Sequence, residues 1–392
     1  MSPTELLNAT PPVRILFVFD WLVIGGEETE VRLLARHLDR RRYALSVLAC
    51  FRNERMTELT REALQRLGIH LDTTCYDLDD DGRARYLAQL IRRQRYAIVV
   101  ACQGVQHPHR AMELLPPAER PLLVEHGGLV SEVFRTPKHF TTAYVGVCRE
   151  IVQAAAGVMP DPRQARLIPS MVDLSEFEGH DREAIRRELG FAPRHRVAGW
   201  VGRLDRKKRV EDFVEAAALL HPRLPEARFL VIGGADAFMP EYETELHDLA
   251  RRRGLEEVMV FTGDRADVPR LLAAMDAFAW LSEGEGMPHV VLEAGASRLP
   301  VVATPDGGAA SLIVDGHSGL FVPHRSPAAV AHALERLLTQ PDLATSLGVQ
   351  LRRTVERQYG TDVVCRAWEA LFAELIAMSR REPRGSGGRA AA

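Results

Sequence analysis

Lysine is nearly missing from this sequence. Only Lys138, Lys207 and Lys208 occur among 50 basic residues, the rest being arginine. A P-loop needs Gly-Lys followed by Ser or Thr, and no lysine here is followed by either. A pyridoxal-phosphate enzyme needs a Schiff-base lysine, and none of the three has the expected setting near the carboxyl end. Cysteine is also scarce. Cys50, Cys75, Cys102, Cys148 and Cys365 are odd in number, widely spaced and never Cys-x-x-Cys, which predicts buried free thiols in a reducing compartment. No apolar run approaches the roughly 20 residues of a membrane span. The opening MSPTELLNATPP lacks the basic and apolar segments of a signal peptide. Together these absences predict a cytoplasmic protein without stable membrane insertion. A net charge of −3 gives no support to nucleic acid as the main partner.

What is present is an alternation of short apolar runs and helical patterns over 392 residues, enough for two domains of ordinary size. The runs VRILFVF (13–19), YALSVLAC (43–50), IHLDT (69–73), YAIVVAC (96–102), PLLVE (121–125), AYVGVC (143–148) and ARLIP (165–169) read as strands of a parallel sheet. VAGWVGRL (197–204), FLVIGG (229–234), VMVFTG (258–263) and AFAWL (277–281) continue the pattern. The segment DLDDDG (77–82) reads as a solvated loop and helix start rather than a metal-binding Asp-x-Asp. The helix after it carries Arg83, Arg85, Arg92, Arg93 and Arg95 beside Leu87, Leu90 and Ile91. Such a helix either lies on an anionic membrane or is an ordinary surface helix of an arginine-rich chain, the second reading being preferred.

The most informative stretch is Ser282 to Gly308, SEGEGMPHVVLEAGASRLPVVATPDGG. It starts where AFAWL stops, so Ser282 stands at the carboxyl end of a buried strand. Gly284 and Gly286 permit a tight turn, and Pro288 suits a first helical turn. Glu285 and Glu293 lie on either side of the helix amino end, whose free N–H groups suit a diphosphate. A carboxylate can accept two hydrogen bonds from the vicinal diol of a ribose or hexose. Taken alone, the spacing favours the plainer reading of Glu285 as a helix cap and Glu293 as a solvated side chain, since it is common by chance.

The string resembles the carboxyl-terminal signature of family-4 retaining glycosyltransferases of GT-B architecture. Ser282, Glu285, Gly286, Leu292, Glu293, Ala294, Pro300 to Thr304, Gly307 and Gly308 match that pattern. Met287 replaces a Phe, and Ser311 stands where the family usually has a Glu. Further motifs follow in order: Gly25-Gly26, then His126 in LVEHGG, then Arg203 and Lys208 in GRLDRKK, with Arg209 replacing a Gly, then DGHSGLFVP (315–323). In IPSMVDLSEF, Ser170 and Met171 replace the Asn-Gly of the family's hinge.

The resemblance implies a GT-B fold, two doubly wound α/β Rossmann-like domains facing a cleft. The expected organisation is an acceptor-binding domain over 1–178 and a nucleotide-sugar-binding domain over 179–360. A helix over 361–380 would pack back on the first domain, with a disordered tail over 382–392. It also implies retaining, metal-independent transfer from a nucleotide-sugar, expected to be UDP-linked, with no other cofactor. Arg203 and Lys208 would stabilise the leaving diphosphate, Glu285 hold the sugar, and Glu293 hold the ribose. Gly286 and Met287 would line the donor, Gly25 and Gly26 would approach its phosphate, and His126 would lie near the reacting carbon. Domain closure would exclude water.

Asp20 and Glu27, with Gln103 and His107 in ACQGVQHPHR, are candidate acceptor contacts. Glu27, Glu28 and Glu30 read singly as first-turn carboxylates favoured by the helix dipole. With Asp20 they would make an acidic mouth suited to a cationic acceptor. His-x-His can bind a metal, but no carboxylate or cysteine cluster in the sequence completes a site there. GGEETEVRLLARHL, LVEHGGLVSEVF and PKHFTT look most like actinobacterial enzymes of aminoglycoside-antibiotic clusters, which implies a 2-deoxystreptamine-type acceptor such as paromamine. The alternatives are a lipid or cell-wall acceptor and a non-catalytic sugar-nucleotide-binding protein.

Overall fold

A computed structural model describes residues 11–381. The chain divides into two compact units. One runs to Ile168 and resumes at Cys365, and the other spans Pro169–Val364.

The first unit is built on a seven-stranded parallel sheet. Its strands are β1 (Val13–Phe19), β2 (Tyr43–Ala49), β3 (His70–Asp72), β4 (Ile98–Cys102), β5 (Leu122–Gly127), β6 (Thr141–Gly146) and β7 (Ala165–Leu167), in the order β3-β2-β1-β4-β5-β6-β7. Strand β1 lies inside the sheet, pairing Val13 to Phe19 with Tyr43 to Ala49 and Ile15 to Phe19 with Ile98 to Cys102. Ile15 to Phe19 are at most 1% exposed. A parallel strand covered by helices on both faces must be apolar at successive positions, which is why VRILFVF lacks alternation.

The second unit repeats the plan with β8 (Arg196–Val201), β9 (Ala227–Ile232), β10 (Met259–Phe261), β11 (Ala277–Trp280), β12 (Val301–Ala303) and β13 (Leu320–Phe321). Their order, β10-β9-β8-β11-β12-β13, has the same connectivity as the first six strands of the other sheet. Its core gathers Trp200, Phe213, Phe229 and Tyr242. Both sheets are doubly wound, so the strand order reverses beside β1 in one and beside β8 in the other. In such sheets ligands bind beyond the carboxyl ends of the strands at that reversal.

The unit boundaries differ from the sequence reading. Residues 169–178 belong with the second unit rather than the first. The Val172 N–H donates to the Tyr359 carbonyl, and Arg352 pairs with Glu178 at 2.9 Å. The helix Thr361–Arg381 begins in the second unit and passes into the first at Cys365. There the Trp368 Nε1–H donates to Glu30 Oε1 at 3.0 Å, the Phe372 ring lies 5.7 Å from that of Tyr43, and Arg166 pairs with Glu374. Trp368 and Glu30 are both buried. Trp368→Phe keeps most of the packing and removes the donor. It should lower the stability of the first unit by about 1–2 kcal/mol, read from its urea midpoint. The tail expected over 382–392 lies outside the described residues.

Candidate functional site

In the second unit the reversal lies between β8 and β11. Arg203 leaves the first strand and Ser282 to Met287 leave the second. Two backbone bonds join the loops to their surroundings: Glu283 N–H to the Lys207 carbonyl at 2.8 Å, and Gly308 N–H to the Gly286 carbonyl at 2.6 Å. Gly284, with φ of 70°, donates its N–H to Asp306. Gly307 has φ of 48°, and a Cβ there would lie 1.9 Å from the Glu285 carbonyl oxygen. This approach demands glycine, which gives the Gly-Gly turn its physical reason.

These loops bring Lys208 and Glu285 together, Nζ to Oε1 at 2.8 Å. Both side chains are 21% exposed, so the pair stays open to a ligand. Glu285 does not cap the helix that follows, whose cap position is Pro288 with no side-chain hydrogen bond. Arg203 pairs through Nη1 with Asp236 Oδ2 at 2.9 Å. Lys208 closes a short turn, Arg206–Lys208, capped by Asp205. The next residue, Arg209, has φ of 55° and is held by Asp212. The left-handed conformation explains the family's usual Gly at that position, and the Asp212 contact shows how an arginine holds it here. The helix after the loop starts at His289, with Pro288 just before it, and carries Glu293. Met287 is buried and packs on Gly308, while Ser311 is exposed.

The first unit gathers the other candidates at its own reversal, beyond β1, β4 and β5. Gly25 caps the helix Gly26–His37. Glu27 and Glu28 do lie in its first turn, but Glu28 and Glu30 are only 3% and 2% exposed. They turn inward because partners await them. Gln103, in the left-handed region at φ of 59°, donates its amide to Glu28 Oε1 at 2.8 Å, and the Val23 N–H reaches the same oxygen. Glu27 Oε1 lies 3.4 Å from Nδ1 of His126, whose buried ring rests 5.6 Å from that of Trp368. Glu132, not marked in the sequence, accepts the N–H groups of Gly128 and Leu129. His107 is buried between Asp20 and Asp80, at 3.6 and 3.5 Å.

The electrostatics of this cluster are acidic. Burial, then the Glu27 charge, raises Glu28 to about 7. Burial, then Glu132, raises Glu27 well above the usual carboxylate range, and burial lowers His126. Asp20 Oδ1, Glu27 Oε1, His107 Nδ1 and His126 Nε2 are buried without a hydrogen-bond partner. Buried polar atoms of this kind call for a water, an ion or a ligand group as partner.

Asp20, Cys50 and His107 each place one atom within 4.8 Å of the others. The fold thus supplies the carboxylate and cysteine that the sequence around His107 lacks. The Cys50 thiol is pushed up by a hydrogen bond with Cys75 and by burial, so it is held as a neutral thiol. His109 serves elsewhere, in a buried group with Glu125 and Lys138.

The structure thus pairs Lys208 with Glu285 in the second unit, with Arg203 on the same loop as Lys208, Gly286 and Met287 on the loop that carries Glu285, and Glu293 on the helix that follows. Gly25, Gly26, Asp20, Glu27, Gln103, His107 and His126 lie in the first.

Residues 181–354 match the family described as "Glycosyl transferases group 1". The chain is 32% identical over 233 residues to a D-inositol 3-phosphate glycosyltransferase of Corynebacterium urealyticum, covering 57% of this chain and 53% of that protein. It is 34% identical over 185 residues to the D-inositol 3-phosphate glycosyltransferase of Stackebrandtia nassauensis, covering 46% and 42%. The chain thus spans about half the length of the curated relatives it matches. Among solved structures, Anabaena HepE in complex with UDP-glucose superposes with a TM-score of 0.80 at 19% identity, covering 92% of this chain and 99% of that one. Sucrose-phosphate synthase from Thermosynechococcus elongatus gives 0.76 at 17% identity, covering 93% and 100%. The fold is of the GT-B type, with two parallel-sheet Rossmann-like domains.

Proposed function

We propose that this protein is a retaining glycosyltransferase that moves a hexose or aminohexose from a UDP-sugar to a small-molecule acceptor. The observation that carries the reading is the ion pair of Lys208 and Glu285 beyond β8 and β11, with Arg203 on the same loop as Lys208, inside the segment that matches group 1 glycosyl transferases. Arg203 and Lys208 are the two cations that take up charge as the bond between the sugar C1 and the diphosphate oxygen breaks. Glu285 accepts hydroxyl hydrogen bonds from the sugar and Glu293 from the ribose. Gly25 and Gly26 are assigned to the donor phosphate. The acceptor oxygen bonds to C1 on the face the diphosphate leaves, and a departing phosphate oxygen takes its proton. The products are UDP and the glycoside. His126, held neutral by burial, positions the sugar rather than abstracting a proton.

The acceptor reading is finer. Asp20, Glu27, Glu28 and Glu132 line the first unit's reversal, and Arg135 approaches Glu132 at 3.8 Å. The unpartnered carboxylate oxygens of Asp20 and Glu27 need hydrogen-bond donors. A 2-deoxystreptamine-type aminocyclitol such as paromamine brings ammonium and hydroxyl donors. A phosphorylated cyclitol, the acceptor in the relatives' names, brings negative charge to carboxylates. A lipid acceptor has less support, because two of the arginines of the helix Asp80–Gln94 are already partnered within the protein. Arg83 turns inward to the Cys50 and Cys75 carbonyls, and Arg92 pairs with Glu119. Among the described residues no helix is long and apolar enough to cross a membrane.

Mass spectrometry of reactions pairing UDP-glucose or UDP-N-acetylglucosamine with paromamine, 2-deoxystreptamine or D-inositol 3-phosphate tests both levels. The expected result is a sugar-sized mass gain on an aminocyclitol and none on the phosphate. Gain on D-inositol 3-phosphate alone overturns the acceptor. Tight UDP binding without transfer to any acceptor favours a binding protein.

A further inference from the structure

We propose that Asp236 is a positioning residue of the donor site, holding Arg203 where it meets the diphosphate. The inference rests on the donor-site reading above. Nothing in the sequence marks Asp236, since it follows the Gly-Gly of β9 in no recognisable pattern.

The fold delivers it. The ends of β8 and β9 are laced beyond the sheet: Gly202 N–H donates to the Ile232 carbonyl at 3.0 Å and Leu204 N–H to the Gly234 carbonyl at 2.9 Å. A Cβ at Gly233, whose φ is 129°, would lie 1.8 Å from the Gly202 carbonyl oxygen. Only glycine permits that approach, and it sets the loop after β9 beside the loop after β8.

Asp236 is 3% exposed, and both its oxygens are engaged. Oδ1 accepts the Phe238 N–H at 2.8 Å, and Oδ2 accepts Arg203 Nη1 at 2.9 Å. The Phe238 bond fixes the carboxylate, and the fixed carboxylate fixes the guanidinium. Arg203 keeps 34% of its side chain exposed. A guanidinium has five N–H donors in a rigid fork, so anchoring one orients the others without consuming them. An arginine already ordered loses less rotamer freedom when the ligand arrives. Glu285 plays a different part beside Lys208, because it is open enough to touch the sugar. Asp236 is too buried to touch any ligand and acts through Arg203.

The test is calorimetric titration of the full chain with UDP, comparing wild type, Asp236→Ala, Arg203→Ala and the double variant. Arg203→Ala should weaken binding about 10- to 100-fold. Asp236→Ala should weaken it by about fivefold or more, and the double variant should be no weaker than Arg203→Ala. Asp236→Asn, which keeps the shape, should give an intermediate loss and secures the test if the alanine variant fails to fold. Unchanged or tighter UDP binding by both Asp236 variants overturns the proposal alone. So do additive losses in the double variant, which would assign Asp236 to its loop and not to Arg203. If the wild type does not bind UDP, the donor-site reading falls and takes this inference with it.

Discussion

Lys208→Ala should lower kcat/KM by about 10²- to 10³-fold, as removal of a fixed donor at a developing charge does elsewhere. The loss should fall mainly on kcat, because charge on the departing diphosphate is greatest in the transition state. Lys208 stands with Nζ 2.8 Å from Glu285 Oε1, so its position is set before any ligand binds. Glu285 does not become a buried orphan in the variant, because its side chain is 21% exposed and water can solvate it. The thermal midpoint should therefore move little, separating lost chemistry from lost fold. Lys207→Ala is the control. Lys207 is exposed and lends the site only its backbone carbonyl, which accepts the Glu283 N–H. It removes the same charge from the same turn and should leave the rate unchanged. Equal losses in both variants would mean that the turn matters through net charge, and the specific role of Lys208 would be wrong.

The donor half of the site was legible because its chemistry is local. Arg203 and Lys208 are five residues apart on one loop, and Glu285 and Glu293 flank one helix start. The sequence also showed where most strands lay, since a parallel strand buried on both faces is apolar throughout, as VRILFVF is, but the two-residue β13 was too short to stand out. What it did not show depends on packing between distant segments. Asp236 meets Arg203 only because Gly202 and Gly233 let two strand ends touch. Glu30 is buried because Trp368, more than 300 residues away, donates to it. Glu28 is buried because Gln103, in a left-handed backbone conformation, donates its amide to it from a segment distant in the sequence. First-turn glutamates ordinarily face water, and nothing local signals that these do not. The residues 169–178 were misplaced for the same reason, since they are held by Tyr359 and Arg352 from the far end of the chain.

Glu28→Gln should stabilise the first unit at pH 8 and leave it nearly unchanged at pH 4. Burial and the Glu27 charge raise Glu28 from the ordinary 4.5 to about 7. Between those values the folded protein binds a proton that the unfolded chain has released. The unfolded state therefore binds fewer protons, and stability falls as pH rises through that window. Below about 4.5 there is no penalty. Above about 7 it is complete, on the order of 3 kcal/mol for a fully buried group. Glutamine is neutral throughout, and its carbonyl can still accept the Val23 N–H and the Gln103 amide as Glu28 Oε1 does. The gain should appear as a rise in the urea midpoint of the first unit at pH 8, with a flatter pH profile than wild type. Glu27 keeps part of the slope, because its own rise comes from burial and Glu132. Equal midpoints at pH 8 would show that the fold does not penalise the ionised Glu28. A cation seated among Asp20, Glu27 and Glu28 would relieve the same penalty. The variant should therefore gain stability while its KM for an aminocyclitol acceptor rises, the exchange expected when a strained charge is kept for binding.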